Sequence, residues 1–175
     1  PLLGFENFVS VEDIIGEDII EDYRDNKISF TEYEDAVSAK FPDEKVLLRR
    51  FVSDSYDYKV LESMYENRDP SKPFFMFNVT MQNHGGYDVA YNNFQQQIKL
   101  TSTEEFYPKA NRFLSLMYEA DQAFAELVDY FSHVSEPTII LMFGDHQPSI
   151  EDEFVESLLG SELTELTVEQ KQKRY

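Results

Sequence analysis

Asp145 and His146 stand side by side in "FGDHQP", residues 143–148, directly after the apolar run "TIILM". A carboxylate oxygen and a neutral imidazole nitrogen are both good ligands for manganese, zinc or iron. Neighbouring residues on an extended chain point to opposite faces, but a turn beginning at Gly144 can redirect both toward one point. Two ligands hold a divalent cation poorly, so a working site needs one or two more from elsewhere. The alternative without chemistry is that Asp145 caps the next turn while His146 packs on a sheet edge. A third residue of interest is His84, in "NVTMQNHGGY". It could be a further ligand, a proton donor, or a hydrogen-bond donor to an anionic oxygen. Around these residues Asn83, Gln147 and Pro148 read as turn formers, and Thr80 as a strand residue without a base at useful spacing. The carboxylates of "SIEDEF" read as a helix start, with Glu151 or Asp152 within possible reach of the site.

The elements that must position these residues follow from hydrophobic pattern. "FFMFNVT", 74–80, is a short aromatic-rich run bounded by Pro73 and polar residues, and it predicts a buried strand. "TIILMF", 138–143, predicts a second. Between them "FYPKANRFLSLMYEADQAFAELVDYFSHV", 106–134, predicts a long helix, with Pro108 in its first turn. Phe113, Met117, Ala120, Phe124, Leu127 and Phe131 recur on it at spacings of three and four, the pattern of a core-facing stripe. His133, at its end, reads as a dipole partner or a solvated residue. Strand, long helix, strand is a βαβ crossover, which favours parallel strands and an α/β sheet. Loops at the carboxyl ends of such strands form the usual ligand crevice, and His84, Asp145 and His146 would share that edge.

The first third is acidic and less regular. The Ile pairs of "EDIIGEDIIEDY" suit short helical turns, and "TEYEDAVSAKF" predicts a helix with Thr31 and Glu34 as its capping box. "SDSYDYKVLESMYENRD" predicts another, capped by Asp54, with Tyr58, Leu61 and Tyr65 on one face. A calcium loop at Asp22, Asp25 and Asn26 lacks the regular ligand spacing and terminal Glu. Hydrophobic residues make up 42% of the 175 and aromatics 15%, which indicates a globular chain with a real core. A net charge of −19 argues against nucleic acid and against adhesion of this surface to an anionic membrane. The absence of cysteine excludes disulfides and thiolate chemistry. No apolar run reaches the roughly 20 residues of a membrane span.

Taken together, "KPFFMFNVTMQNHGGY", "YEADQAFAELVDYF" and "PTIILMFGDHQP" resemble the C-terminal half of the extracellular domain of lipoteichoic acid synthases and related phosphoglycerol transferases. Those proteins belong to the sulfatase-like, alkaline phosphatase superfamily, and "LLGFENFVS" resembles the segment that precedes this half. The resemblance implies that residues 1–175 are the C-terminal portion of a sulfatase-like catalytic domain cut at both ends, with a partial α/β sheet and flanking helices. It implies one divalent metal, usually Mn2+ with Mg2+ or Zn2+ as alternatives, held in part by Asp145 and His146. It implies that His84 contacts the phosphoglycerol group of the substrate. The implied reaction passes phosphoglycerol from a phosphatidylglycerol-type lipid to a polyglycerolphosphate-type acceptor, on the outer face of a bacterial cell membrane to which the parent protein is anchored. The threonine nucleophile and the first acidic metal ligand of that family have no match here, so no catalytic nucleophile is assigned and the chain alone is expected to be inactive. Other readings are a sulfatase or phosphodiesterase of the same superfamily, or a non-catalytic binding module. Sheet edges left open in such a portion are expected to favour self-association.

Overall fold

A computed structural model describes residues 4–101 and 106–172. The chain divides into two compact units, Pro1–Asn78 and Val79–Tyr175.

The first unit begins with helices α1 (Val11–Ile15), α2 (Glu17–Arg24) and α3 (Phe30–Lys40). A two-residue turn then joins β1 (Leu47–Leu48) to β2 (Phe51–Val52), antiparallel with Leu47 opposite Val52, and α4 (Asp54–Glu66) follows. The Ile pairs of the acidic opening do form helical turns, broken at Gly16, whose φ of 120° suits glycine. Ile15, Ile20, Tyr33, Val37, Val46 and Leu47 bury together as the core of this unit. Each such aliphatic side chain contributes on the order of 1.5–3 kcal/mol when fully withdrawn from water. Tyr33 also stacks on Tyr23 at 4.4 Å, and burial pushes its phenol up to about 12.

The helix starts are set one or two residues earlier than the sequence pattern predicts. Ser29, not Thr31, caps α3: its side chain accepts from the Glu32 N–H, and Glu32 returns a bond to the Ser29 N–H at 2.7 Å. Ser53, not Asp54, caps α4, accepting from the Tyr56 N–H while its hydroxyl donates to the Lys45 carbonyl at 2.7 Å. In both cases a serine lay just upstream with the better reach to the third helical amide. Asp22 and Asp25 share the Lys27 ammonium, at 3.0 and 3.1 Å, so their charge is already met by a side chain.

The second unit is built on α5 (Pro108–Ser132), followed by α6 (Asp152–Leu159), a 3-10 turn (Leu163–Glu165) and α7 (Val168–Gln172). Proline opens α5 as expected, and the His133 ring closes it with Nδ1 2.8 Å from the Asp129 carbonyl. Ala110, Leu116, Ala120, Ala123 and Leu127 are buried along α5, joined by the polar Asn111 and Ser115. No helix among the described residues is long and apolar enough to cross a membrane.

The two predicted strands are corrected. Neither 74–80 nor 138–143 forms a ladder, and the βαβ crossover is not made among the described residues, whose sheet is the two-residue hairpin alone. Exposure alternates along the second segment, from 96% at Ile139 to 38% at Ile140, 81% at Leu141, 53% at Met142 and 68% at Phe143. That period of two is the imprint of an extended chain. A run of β-branched and apolar residues specifies extension and a wish for burial, but a strand exists only when another strand takes up its amides and carbonyls. No other described segment does so here.

Candidate active site

His84, Asp145 and His146 all lie in the second unit. The loop that carries His84 turns tightly, with the His84 N–H donating to the Met81 carbonyl at 3.0 Å. Gly86 follows at φ 91°, where a side chain would be strained. Tyr87 is buried beneath it, and its hydroxyl donates to the Asn83 carbonyl at 2.6 Å. Helix α5 grips this loop from below. The Arg112 guanidinium donates to the Tyr87 carbonyl, and Phe113 meets the Tyr87 ring edge-on at 5.6 Å. The segment that continues from the loop is strapped to the same helix. The Ile98 N–H donates to Ser115 Oγ at 2.9 Å and the Leu100 N–H to Asn111 Oδ1 at 2.7 Å. His84 itself is exposed.

Asp145 and His146 stand in contact at the end of the extended 138–143 segment. Asp145 Oδ1 accepts from the His146 main-chain N–H at 2.8 Å, and Oδ2 lies 3.5 Å from His146 Nε2. The other ring nitrogen, Nδ1, is 2.9 Å from the Gln147 carbonyl. A carbonyl only accepts, so Nδ1 carries the hydrogen and, in the neutral ring, Nε2 carries the lone pair. The pair therefore places a carboxylate oxygen 3.5 Å from a ring nitrogen that, in the neutral ring, can ligate. Two ligands each about 2.1 Å from a tetrahedral ion sit about 3.4 Å apart. The observed 3.5 Å fits a shared cation, and the Gln147 carbonyl supplies the outer hydrogen bond that metal-binding histidines usually make. Both side chains are open to solvent, at 85% for Asp145 and 61% for His146.

The structure thus brings Asp145 and His146 together. His84 sits on a separate loop, and no group of three or more His, Asp or Glu side chains among the described residues is gathered around one point. Of the nearby carboxylates, Glu151 is turned away to the start of α5, where it accepts from the Lys109 and Ala110 N–H groups. Sequence pattern did not single out Arg112, Asn111 or Ser115. The last two were visible as polar residues four apart on the buried side of an apolar helix, a spacing that asks for a backbone partner.

An Asp-His pair with ligand-type atoms 3.5 Å apart, in the same unit as a histidine loop held on α5, suits metal-assisted chemistry on an anionic ester. The chain matches the Sulfatase family over residues 3–173 and belongs to that family, within the alkaline phosphatase superfamily. It is also similar to a protein of Rhizobium meliloti (strain 1021) named "Putative cyclic beta-1,2-glucan modification protein". The two are 37% identical over 83 residues, which cover 45% of this chain and 12% of that relative. The likeness therefore concerns a small part of the relative's length. No solved structure matches the chain significantly.

Proposed function

We propose that this chain supplies part of the active site of a metal-dependent phosphoglycerol transferase working on the outer face of a bacterial cell membrane. The observation that carries the reading is the Asp145 Oδ2 to His146 Nε2 separation of 3.5 Å, with Nδ1 tied to the Gln147 carbonyl. Asp145 and His146 would hold the divalent ion, Mn2+ with Mg2+ or Zn2+ as alternatives, together with ligands from the rest of the protein. When bound, such an ion stabilises negative charge on phosphoryl oxygens. Asp145 contributes the anionic ligand, and Gln147 keeps the His146 ring in the tautomer that ligates. His84, exposed on its loop, donates a hydrogen bond or a proton to an oxygen of the phosphoglycerol group as charge develops. The donor in this proposal is an anionic glycerophospholipid and the acceptor a polyglycerolphosphate-type polymer. In this proposal the nucleophile is supplied together with the remaining metal ligands and not by His84, Asp145 or His146.

A second reading of the acceptor is favoured by the relative's name. A protein concerned with modifying a cyclic β-1,2-glucan points to an oligosaccharide hydroxyl as the group that receives the phosphoglycerol. A sulfatase or phosphodiesterase of the same superfamily differs in the ester it opens. One experiment separates these. The full-length protein with Mn2+ is given a phosphatidylglycerol analogue, with either a polyglycerolphosphate or a cyclic glucan acceptor, and in parallel an aryl sulfate. Diacylglycerol release that vanishes in Asp145→Ala supports transfer, and the acceptor that gains label names its class. Turnover of the aryl sulfate alone overturns the proposal in favour of a sulfatase, and silence on every ester favours a binding module.

A further inference from the structure

Helix α5 has 25 residues and no side-chain cap of its own: Tyr107 occupies its N-cap without a side-chain bond. Pro108, the first helical residue, has no N–H to offer. The next two donors, the N–H groups of Lys109 and Ala110, are both taken by one carboxylate. Glu151 Oε1 accepts from Lys109 at 2.8 Å and Oε2 from Ala110 at 2.9 Å. Helices α3 and α4 are capped by the serine next to them, whereas α5 is capped from 41 and 42 residues away. A carboxylate bridging two N–H groups at the positive end of a long helix is a charge-assisted arrangement, stronger than a neutral cap.

The main chain of Glu151 is fixed as well. It is the N-cap of α6, with its carbonyl accepting from the Val155 N–H at 3.3 Å. Phe154, in the first turn of α6, packs against Tyr107 with ring centroids 5.3 Å apart. Only Gln147, Pro148, Ser149 and Ile150 separate this anchor from His146, and proline stiffens that link. The Gln147 carbonyl at its start is the group that sets the His146 tautomer. The same first turns of α5 grip the His84 loop through Arg112 and Phe113. Both loops are thus referred to one short stretch of helix.

We propose that Glu151 is a positioning residue: by clamping the start of α5 it fixes the loop that presents Asp145 and His146 to a divalent cation. The proposal rests on the reading of that pair as cation ligands. The test measures Mn2+ binding to the full-length protein by the loss of the free-ion electron paramagnetic resonance signal, beside amide hydrogen exchange at Lys109 and Ala110. Glu151→Gln leaves one acceptor where two donors point, and the expected result is weaker Mn2+ binding, by up to the about tenfold that losing a hydrogen bond made directly to a metal ligand costs. Exchange at Lys109 and Ala110 accelerates in parallel. Glu151→Asp keeps the charge but shortens the reach, and a smaller loss of affinity is expected. Phe154→Ala removes the ring contact and leaves the carboxylate, so it lowers Tm while Mn2+ affinity holds. Wild-type affinity in both Glu151 variants overturns the proposal, as does an equal loss in Phe154→Ala, which would mark a general loosening. Wild-type affinity in Asp145→Ala overturns the underlying metal reading instead, so the two failures are distinguishable.

Discussion

Ser115→Ala tests whether α5 really holds the strap that leads away from the His84 loop. Ser115 is fully buried, and its Oγ accepts from the Ile98 N–H at 2.9 Å while its hydroxyl donates to the Asn111 carbonyl at 2.8 Å. Alanine leaves the part-buried Ile98 amide without that acceptor, a loss in the lower part of the about 1–3 kcal/mol of a fully buried donor. The better helix propensity of alanine returns a few tenths, so the net cost is about 1–2 kcal/mol. For a chain of this size that is a fall in Tm of roughly 2–8 °C. Ser132→Ala is the control: it lies exposed at the end of the same helix, bonded only to its near neighbours, the Asp129 carbonyl and His133 Nδ1, and belongs within about 0.5 kcal/mol of wild type. The assay is thermal unfolding by circular dichroism, with amide exchange resolved at Ile98 and Leu100. If Ser115→Ala melts with the control and the Ile98 amide keeps its protection, the strap is held by something other than this serine and the reasoning fails.

Two more expectations concern the first unit. Burial pushes the Asp57 carboxyl up, against the opposing pull of the Asn78 amide that donates to it. The folded chain therefore binds this proton more readily than the unfolded one, so the carboxylate's cost is absent below its ordinary range and grows as pH rises through the folded value. Asp57→Asn keeps an oxygen for Asn78 and removes the charge, so it should raise Tm at pH 7 and lose that advantage near pH 3; a Tm difference that stays constant over this range would contradict the account. Ser29→Ala removes the α3 cap, and urea titration should show about 1 kcal/mol less stability with an unchanged m-value. No change in midpoint would mean that tertiary packing alone sets the start of that helix.

Local signals in this chain were legible because their partners lie within a turn or two. Pro108 opens α5, the Ile pairs form helical turns around Gly16, and the continuous apolar run at 138–143 is extended. Helix and extension close their geometry over a few residues, so residue type and spacing suffice. Asp145 and His146 touch for the same reason: they are adjacent, and the carboxylate reaches its neighbour's main-chain N–H and ring. The caps shifted by one or two residues because serine, threonine and aspartate compete for the same amides, and backbone path decides which reaches.

What lies far apart in sequence was left to the tertiary structure. That Glu151 caps a helix 42 residues upstream cannot be read from "SIEDEF", which looks like any acidic helix start. Asn111 and Ser115 find their partners in Leu100 and Ile98 only once the strap lies along α5. The strands expected at 74–80 and 138–143 fail for the same cause in reverse. Their sequence favours extension and burial, yet pairing belongs to two segments at once, and no described segment offers its edge. Residue types and spacing point to His84, Asp145 and His146 as the candidates for chemistry, and residues 3–173 match the Sulfatase family. Tertiary structure decided which loops α5 holds in place, because those bonds join groups whose distance along the chain says nothing of their distance in space.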